Sequence, residues 1–172
     1  MNSTMKLFPK IILSYICVNF LFAANAAFLS AGVARLEITG RGIFAEGQSF
    51  GESGQYEYLK GVVHYEIDPE LPLNRRVVDI KYAPRNGKGM AGYRSDFFIL
   101  KPLDIARGNG AILYDVNNRG NKLALRFFNN GNSTNSPLTI DDAGNGFLMR
   151  HGYTIVWNGW LGDLEPGNNR LL

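Results

Sequence analysis

The stretch GQSFG, residues 47 to 51, matches the G-x-S-x-G pattern in which a serine hydroxyl is raised on a sharp turn as an acyl-transfer nucleophile. That chemistry needs a strand entering the first glycine, a helix leaving the last, and a histidine base within reach of Ser49. Neither flank qualifies. GRGIFAE has little strand character up to Gly47, and ESGQYEY holds another glycine and no helical period. Ser49 is therefore expected to sit in a polar loop between two strands.

The two histidines, His64 and His151, are expected in structural places, one in mid-strand and one near a helix end where a cation meets the dipole favourably. DDAGNG (141 to 146) has the composition of a calcium loop but lacks the spaced ligands and the closing glutamate, so it reads as an N-cap and turn. GNG at 108 to 110 precedes a strand, whereas a dinucleotide-binding fingerprint follows one. No metal and no cofactor are expected. Asn132-Ser133-Thr134 is a formal glycosylation sequon.

The loop NNRGNK (117 to 122) has more chemical potential, because it leaves the carboxyl end of an apolar strand, where open α/β sheets place their ligand sites. In an α/β-hydrolase the corresponding connection supplies a backbone N–H to the oxyanion hole, and glycine lets that backbone approach closely. Asn118, Arg119 and Gly120 are the oxyanion-loop candidates. An ordinary Asn/Gly turn accounts for the same residues.

The elements that would carry these residues change character along the chain. VARLEI (33 to 38), LKGVVHYEID (59 to 68), VVDIKYA (77 to 83) and YRSDFFILK (93 to 101) alternate apolar and polar positions and predict antiparallel strands, with PRNGKGMAG as a turn. GAILYDV (110 to 116) and YTIVW (153 to 157) are continuous apolar runs, expected as strands buried on both faces. Between them, Asp141 and Asp142 are expected to cap a short helix around GFLMRHG, and Gly152 to stop it in a left-handed conformation. Strand, loop, helix and strand predict a parallel pair in a mixed α/β fold, with residues 27 to 107 as a β-rich region and 108 to 172 as the start of an α/β domain.

Residues 1 to 26 read as a secretory signal peptide: Lys6 and Lys10, an apolar run too short for a comfortable membrane span, and small residues before a cleavage point after Ala26. The expected product is exported, to periplasm or medium, with no membrane association after cleavage. Removing the leader takes away Cys17, the only cysteine, so disulfide and thiol chemistry are excluded from the 146 residues that remain of 172. It also removes two of 18 basic residues against 15 acidic ones, leaving a net charge of about +1 that argues against a nucleic-acid partner.

Long stretches, FGESGQYEYLKGVVHYEIDP, VVDIKYAPRNGKGMAGYRSDFFILKP, GNGAILYDVNNRGNKLAL and DAGNGFLMRHGYTIVWNGWLGD, together resemble the amino-terminal portion of a family of exported bacterial proteins that carry an α/β-hydrolase domain. The resemblance implies that the β-rich region leads into the first βαβ unit of an α/β-hydrolase sheet. It implies a chain truncated relative to its parent, with nucleophile, acid and histidine lying beyond Leu172, and so no catalytic residue in this chain. The parent is then a serine carboxylic-ester hydrolase with a small-molecule ester substrate, and the fragment itself is inactive, with one face and edge of its sheet exposed. The alternative is a non-catalytic β-rich module binding a glycan or another polymer on platforms built from Tyr56, Tyr58, Tyr65, Tyr82 and Tyr93.

Overall fold

The computed structural model describes residues 31–172; the expected leader, its cleavage point after Ala26 and Cys17 lie outside the described residues. Three long strands come first, as the alternation implies: β1 (Ala31–Ile43), β2 (Tyr56–Ile67) and β3 (Ala91–Pro102). They form an antiparallel meander in which Val63 lies opposite both Leu36 and Ser95. Successive residues of a strand point to opposite faces, so Tyr56, Tyr58, Phe98 and Leu100 share one face while Leu36, Val63, Phe97 and Ile99 share the other.

The second half adds β4 (Ile112–Asp115), three short helices α1 (Ala124–Asn129), α2 (Ile140–Ala143) and α3 (Phe147–Arg150), and β5 (Thr154–Asn158). β5 runs parallel to β4 and antiparallel to β3, which gives one five-stranded mixed sheet in the order β1-β2-β3-β5-β4. The expected parallel pair and its helical crossover are thus present, in a mixed α/β fold with few helices.

The core forms on one side of this sheet, where Leu125, Ala143, Leu148 and Met149 of the helical layer pack against Phe98, Leu100, Ile155 and Trp157. Tyr56 is fully buried there, and its hydroxyl lies 3.1 Å from the carbonyl of Met149 and 3.0 Å from that of Tyr153, so the phenol ties β2 to the end of α3. Gly152 adopts the left-handed φ of +74° expected at that helix end.

Three expectations from the sequence are corrected. VVDIKYA forms no strand: Asn74–Arg76 and Ile80–Tyr82 are single 3-10 turns, with Asp79 left-handed between them. β2 and β3 already pair along their whole length, from Tyr56 opposite Pro102 to Ile67 opposite Ala91, so the intervening segment has no ladder to join. Its alternating Val78 and Tyr82 end up exposed. Second, Asp141 and Asp142 do not cap the helix around GFLMRHG. Thr139 is the N-cap of α2, and its side chain exchanges hydrogen bonds with Asp142 in a reciprocal capping box; α3 starts separately after left-handed Gly146.

Third, β4 is buried on one face only. Ile112, Tyr114 and Val116 are 66%, 50% and 68% exposed, because the helical layer covers the Leu113 side and no layer among the described residues covers the other. β4 is an edge strand, and Val33, Leu36 and Ile38 on β1, the opposite edge, are exposed on that same side, while Val63, Ser95 and Phe97 on the inner strands are buried there.

Candidate functional site

The segment between β4 and α1 is built from its polar side chains inward. Asp115, the last residue of β4, accepts hydrogen bonds at one carboxylate oxygen from the backbone N–H groups of Leu123 and Ala124, both at 2.8 Å, and from the indole N–H of Trp157. A carboxylate at the end of the strand thus satisfies the first amides of the following helix and fixes the buried Trp157. Asn117 is buried; its amide donates to the Asn158 carbonyl at 2.6 Å and its carbonyl oxygen accepts from the Gly120 N–H at 2.8 Å.

Between these anchors, residues 118 to 121 close a tight two-residue turn. The Asn118 N–H donates to the Asn121 carbonyl at 3.2 Å and the Asn121 N–H returns to the Asn118 carbonyl at 3.0 Å. Arg119 and Gly120 both have positive φ, +49° and +79°, as a turn with two left-handed central residues demands. A Cβ at Gly120 would run into the carbonyl oxygen of Leu171 and come within 2.8 Å of the Arg170 side chain, so only glycine fits under the carboxyl-terminal segment.

The three oxyanion-loop candidates therefore sit together on one turn, with different amide roles. The N–H of Gly120 points inward to Asn117 and that of Asn118 is spent across the turn. Arg119 is exposed at the apex, its N–H makes no hydrogen bond among the described residues, and its guanidinium lies 3.6 Å from Asp163. Beside the turn opens a polar cleft of about 310 Å³, lined by Asn118, Asn121, Arg126, Ser133, Thr134 and Asn168. Asp142 holds the strap, residues 133 to 139, whose Ser133 and Thr134 border the cleft, accepting from the N–H groups of Leu138 and Thr139 at 2.9 Å. Burial works to raise the Asp142 pKa, but these bonds outweigh it and the carboxyl stays below its usual range.

Sequence reasoning missed two residues here. Asn135 joins the turn to the strap: its side chain accepts from the Lys122 N–H at 3.0 Å and donates to Asn121 Oδ1 and the Asn168 carbonyl at 2.9 Å. Lys122 is folded under it, its ammonium donating to the Asn135 carbonyl at 2.6 Å. No spacing rule links a lysine to an asparagine thirteen positions on; Lys122 ends the NNRGNK loop but nothing there set it apart, and no sequence signal marked Asn135.

The other candidates are not assembled into a site. Ser49 lies on an exposed loop between two single 3-10 turns, Ala45–Gly47 and Gly51–Ser53; β1 runs on through residues 41 to 43, further than the sequence implied, but ends short of Gly47, and no α-helix follows Gly51 before β2. His64 Nε2 is 2.7 Å from an Arg35 guanidinium nitrogen and 3.1 Å from a Glu37 carboxylate oxygen, and the His151 ring lies against Phe147. No hydrogen bond joins Ser49 to either histidine among the described residues. Asn132 of the sequon is exposed. Of the five tyrosines, Tyr56 is in the core, Tyr58 stacks on Phe98, and Tyr65 and Tyr93 stack on each other with centroids 4.7 Å apart, while Tyr82 stands exposed on its turn. Among the described residues no group of three acidic, histidine or cysteine side chains is placed to hold a metal, and no helix is long and apolar enough to cross a membrane.

No family model, no curated protein and no solved structure matches this chain.

Proposed function

We propose that this chain is the amino-terminal part of an exported α/β-hydrolase-type serine hydrolase acting on small carboxylic esters, and that it contributes the oxyanion turn but none of the catalytic triad. The observation that carries the reading is the turn at the carboxyl end of parallel strand β4, held by Asp115 and Asn117, with the N–H of exposed Arg119 left without a hydrogen bond among the described residues. An N–H held rigidly at that position is what a developing oxyanion requires, because a donor that needs no reorientation stabilises charge best. Gly120 serves as the hinge of the turn and not as the donor. By this reading Ser49 is a loop residue, and the uncovered sheet face and the β4 edge belong against further parts of the parent. The tyrosine-platform alternative draws little support, since four of the five rings already pack on other groups of the protein.

The test is to read the DNA that follows codon 172 and express the continuous frame. The expected frame encodes a strand–GxSxG–helix unit, and a fluorophosphonate probe labels a serine beyond residue 172. Gly120→Val in that product, which forces a branched side chain at φ +79° against Leu171 and so displaces the adjoining Arg119 amide, lowers ester turnover by about a hundredfold or more, the cost of a lost oxyanion donor. A stop codon at that point, labelling of Ser49, or wild-type turnover by Gly120→Val would each overturn the proposal.

A further inference from the structure

On the other side of Lys122 a second cleft, of about 290 Å³, opens against the β2–β3 sheet. Lys60 of β2 lies directly opposite Phe98 of β3, and Lys122 reaches the same ring from the turn, with Nζ 5.1 Å from its centroid. Lys122 is only 6% exposed. One of its three donors is committed to the Asn135 carbonyl, and otherwise the ammonium stands over an aromatic face. Burial drives its pKa down to about 8; Asp96 and Asp115 oppose the fall, and the charge of Lys60 adds to it. Asp96 is itself engaged, accepting from the Leu172 N–H at 3.1 Å.

Lys60 and Lys122 repel each other across one cleft that Arg170 also lines, and the desolvated Lys122 ammonium, with no carboxylate in contact among the described residues, is short of the partner that buried charges ordinarily have. An anion entering the cleft relieves both penalties at once. The walls are not uniformly polar, because Phe98 and Leu138 also line the space. We propose that this cleft binds a small organic carboxylate, its anionic end on Lys122 and Lys60 and its apolar body on Phe98 and Leu138. Lys60, Lys122 and Arg170 set against Asp96 leave the cleft cationic, and the apolar Phe98 and Leu138 walls favour an organic carboxylate over inorganic phosphate. The site rests on this geometry alone and stands independently of the esterase reading.

The experiment uses the whole chain at low concentration, with trace acetic anhydride labelling of each lysine read by mass spectrometry at pH values on both sides of the Lys122 midpoint. Butyrate and inorganic phosphate are the two probes. Millimolar butyrate is expected to protect Lys122 and to raise its labelling midpoint by about one pH unit, equivalent to a tenfold preference for the charged amine. Lys101, which pairs with Glu57 away from the cleft, labels as before. In Lys60→Gln the midpoint of Lys122 rises without ligand, because a repelling charge is gone, and protection by butyrate weakens. The proposal is overturned if neither probe protects Lys122, if phosphate protects it better than butyrate, or if Lys60→Gln leaves both midpoint and protection unchanged.

Discussion

Asp115→Ala tests how the turn at the end of β4 is held. Three donors converge on the Asp115 carboxylate: the N–H groups of Leu123 and Ala124 and the indole N–H of Trp157. Trp157 and Ala124 are buried, so truncation leaves two donors out of reach of water, at about 1–3 kcal/mol each. Leu123 is only partly buried, and its N–H recovers a water at small cost. The expected loss is therefore about 3–5 kcal/mol, a large share of the ~5–15 kcal/mol that holds an ordinary domain together. Asp115→Asn keeps an acceptor oxygen in place and should cost about 1–2 kcal/mol, mainly the charge assistance. Equilibrium urea unfolding followed by tryptophan fluorescence measures both, since Trp157 reports directly on its lost partner. An Asp115→Ala protein within about 1 kcal/mol of wild type, at an unchanged denaturant slope, would refute the convergence of the three bonds. So would an Asn variant less stable than the Ala variant.

Ser49→Ala, on an exposed loop, should leave stability within about 0.5 kcal/mol of wild type by the same unfolding measurement, and a larger loss would show that the loop is anchored through this side chain. Glu57 is 2% exposed between Lys101 and Arg41; burial tends to raise its pKa, but the two cations outweigh that and hold it low. A lowered folded pKa stabilises above the unfolded value and the gain is lost as pH falls, so unfolding free energy should drop below about pH 4.3, and Glu57→Gln should flatten that acid limb. Because Arg41 is largely exposed, the Gln variant should cost only about 1–2 kcal/mol at neutral pH, and an acid limb as steep as wild type would remove Glu57 from the account. The exposed apolar side chains of the β4 edge should make the isolated chain self-associate in sedimentation velocity, and Ile112→Lys with Tyr114→Lys should shift it toward monomer. A wild-type chain that sediments as a monomer at the same concentration contradicts this.

Local pattern alone determined a good deal of this protein. The two-residue period of LKGVVHYEID and YRSDFFILK placed β2 and β3 and sorted their side chains onto two faces, because the pleat leaves no other arrangement. The apolar runs flanking a short helical segment implied the parallel pair of β4 and β5, since two strands joined that way close on one sheet by a crossover. The absence of a strand-to-helix turn at GQSFG was equally visible, being a matter of neighbouring residues.

What the tertiary structure decided are properties that depend on partners distant in the chain. VVDIKYA alternates as well as a true strand but has no free edge to pair with, and GAILYDV is as apolar as a central strand but lies at an edge with one face covered. Gly120 turned its N–H inward because Asn117 and Asn158 fix the loop from the sheet side and Leu171 closes over it. Lys122 was buried because the strap carrying Asn135 passes across it and Phe98 lies beneath. A side chain's chemistry follows from what surrounds it, and periodicity reports only which way it points; the perturbed lysine and the available amide emerge only when remote segments meet.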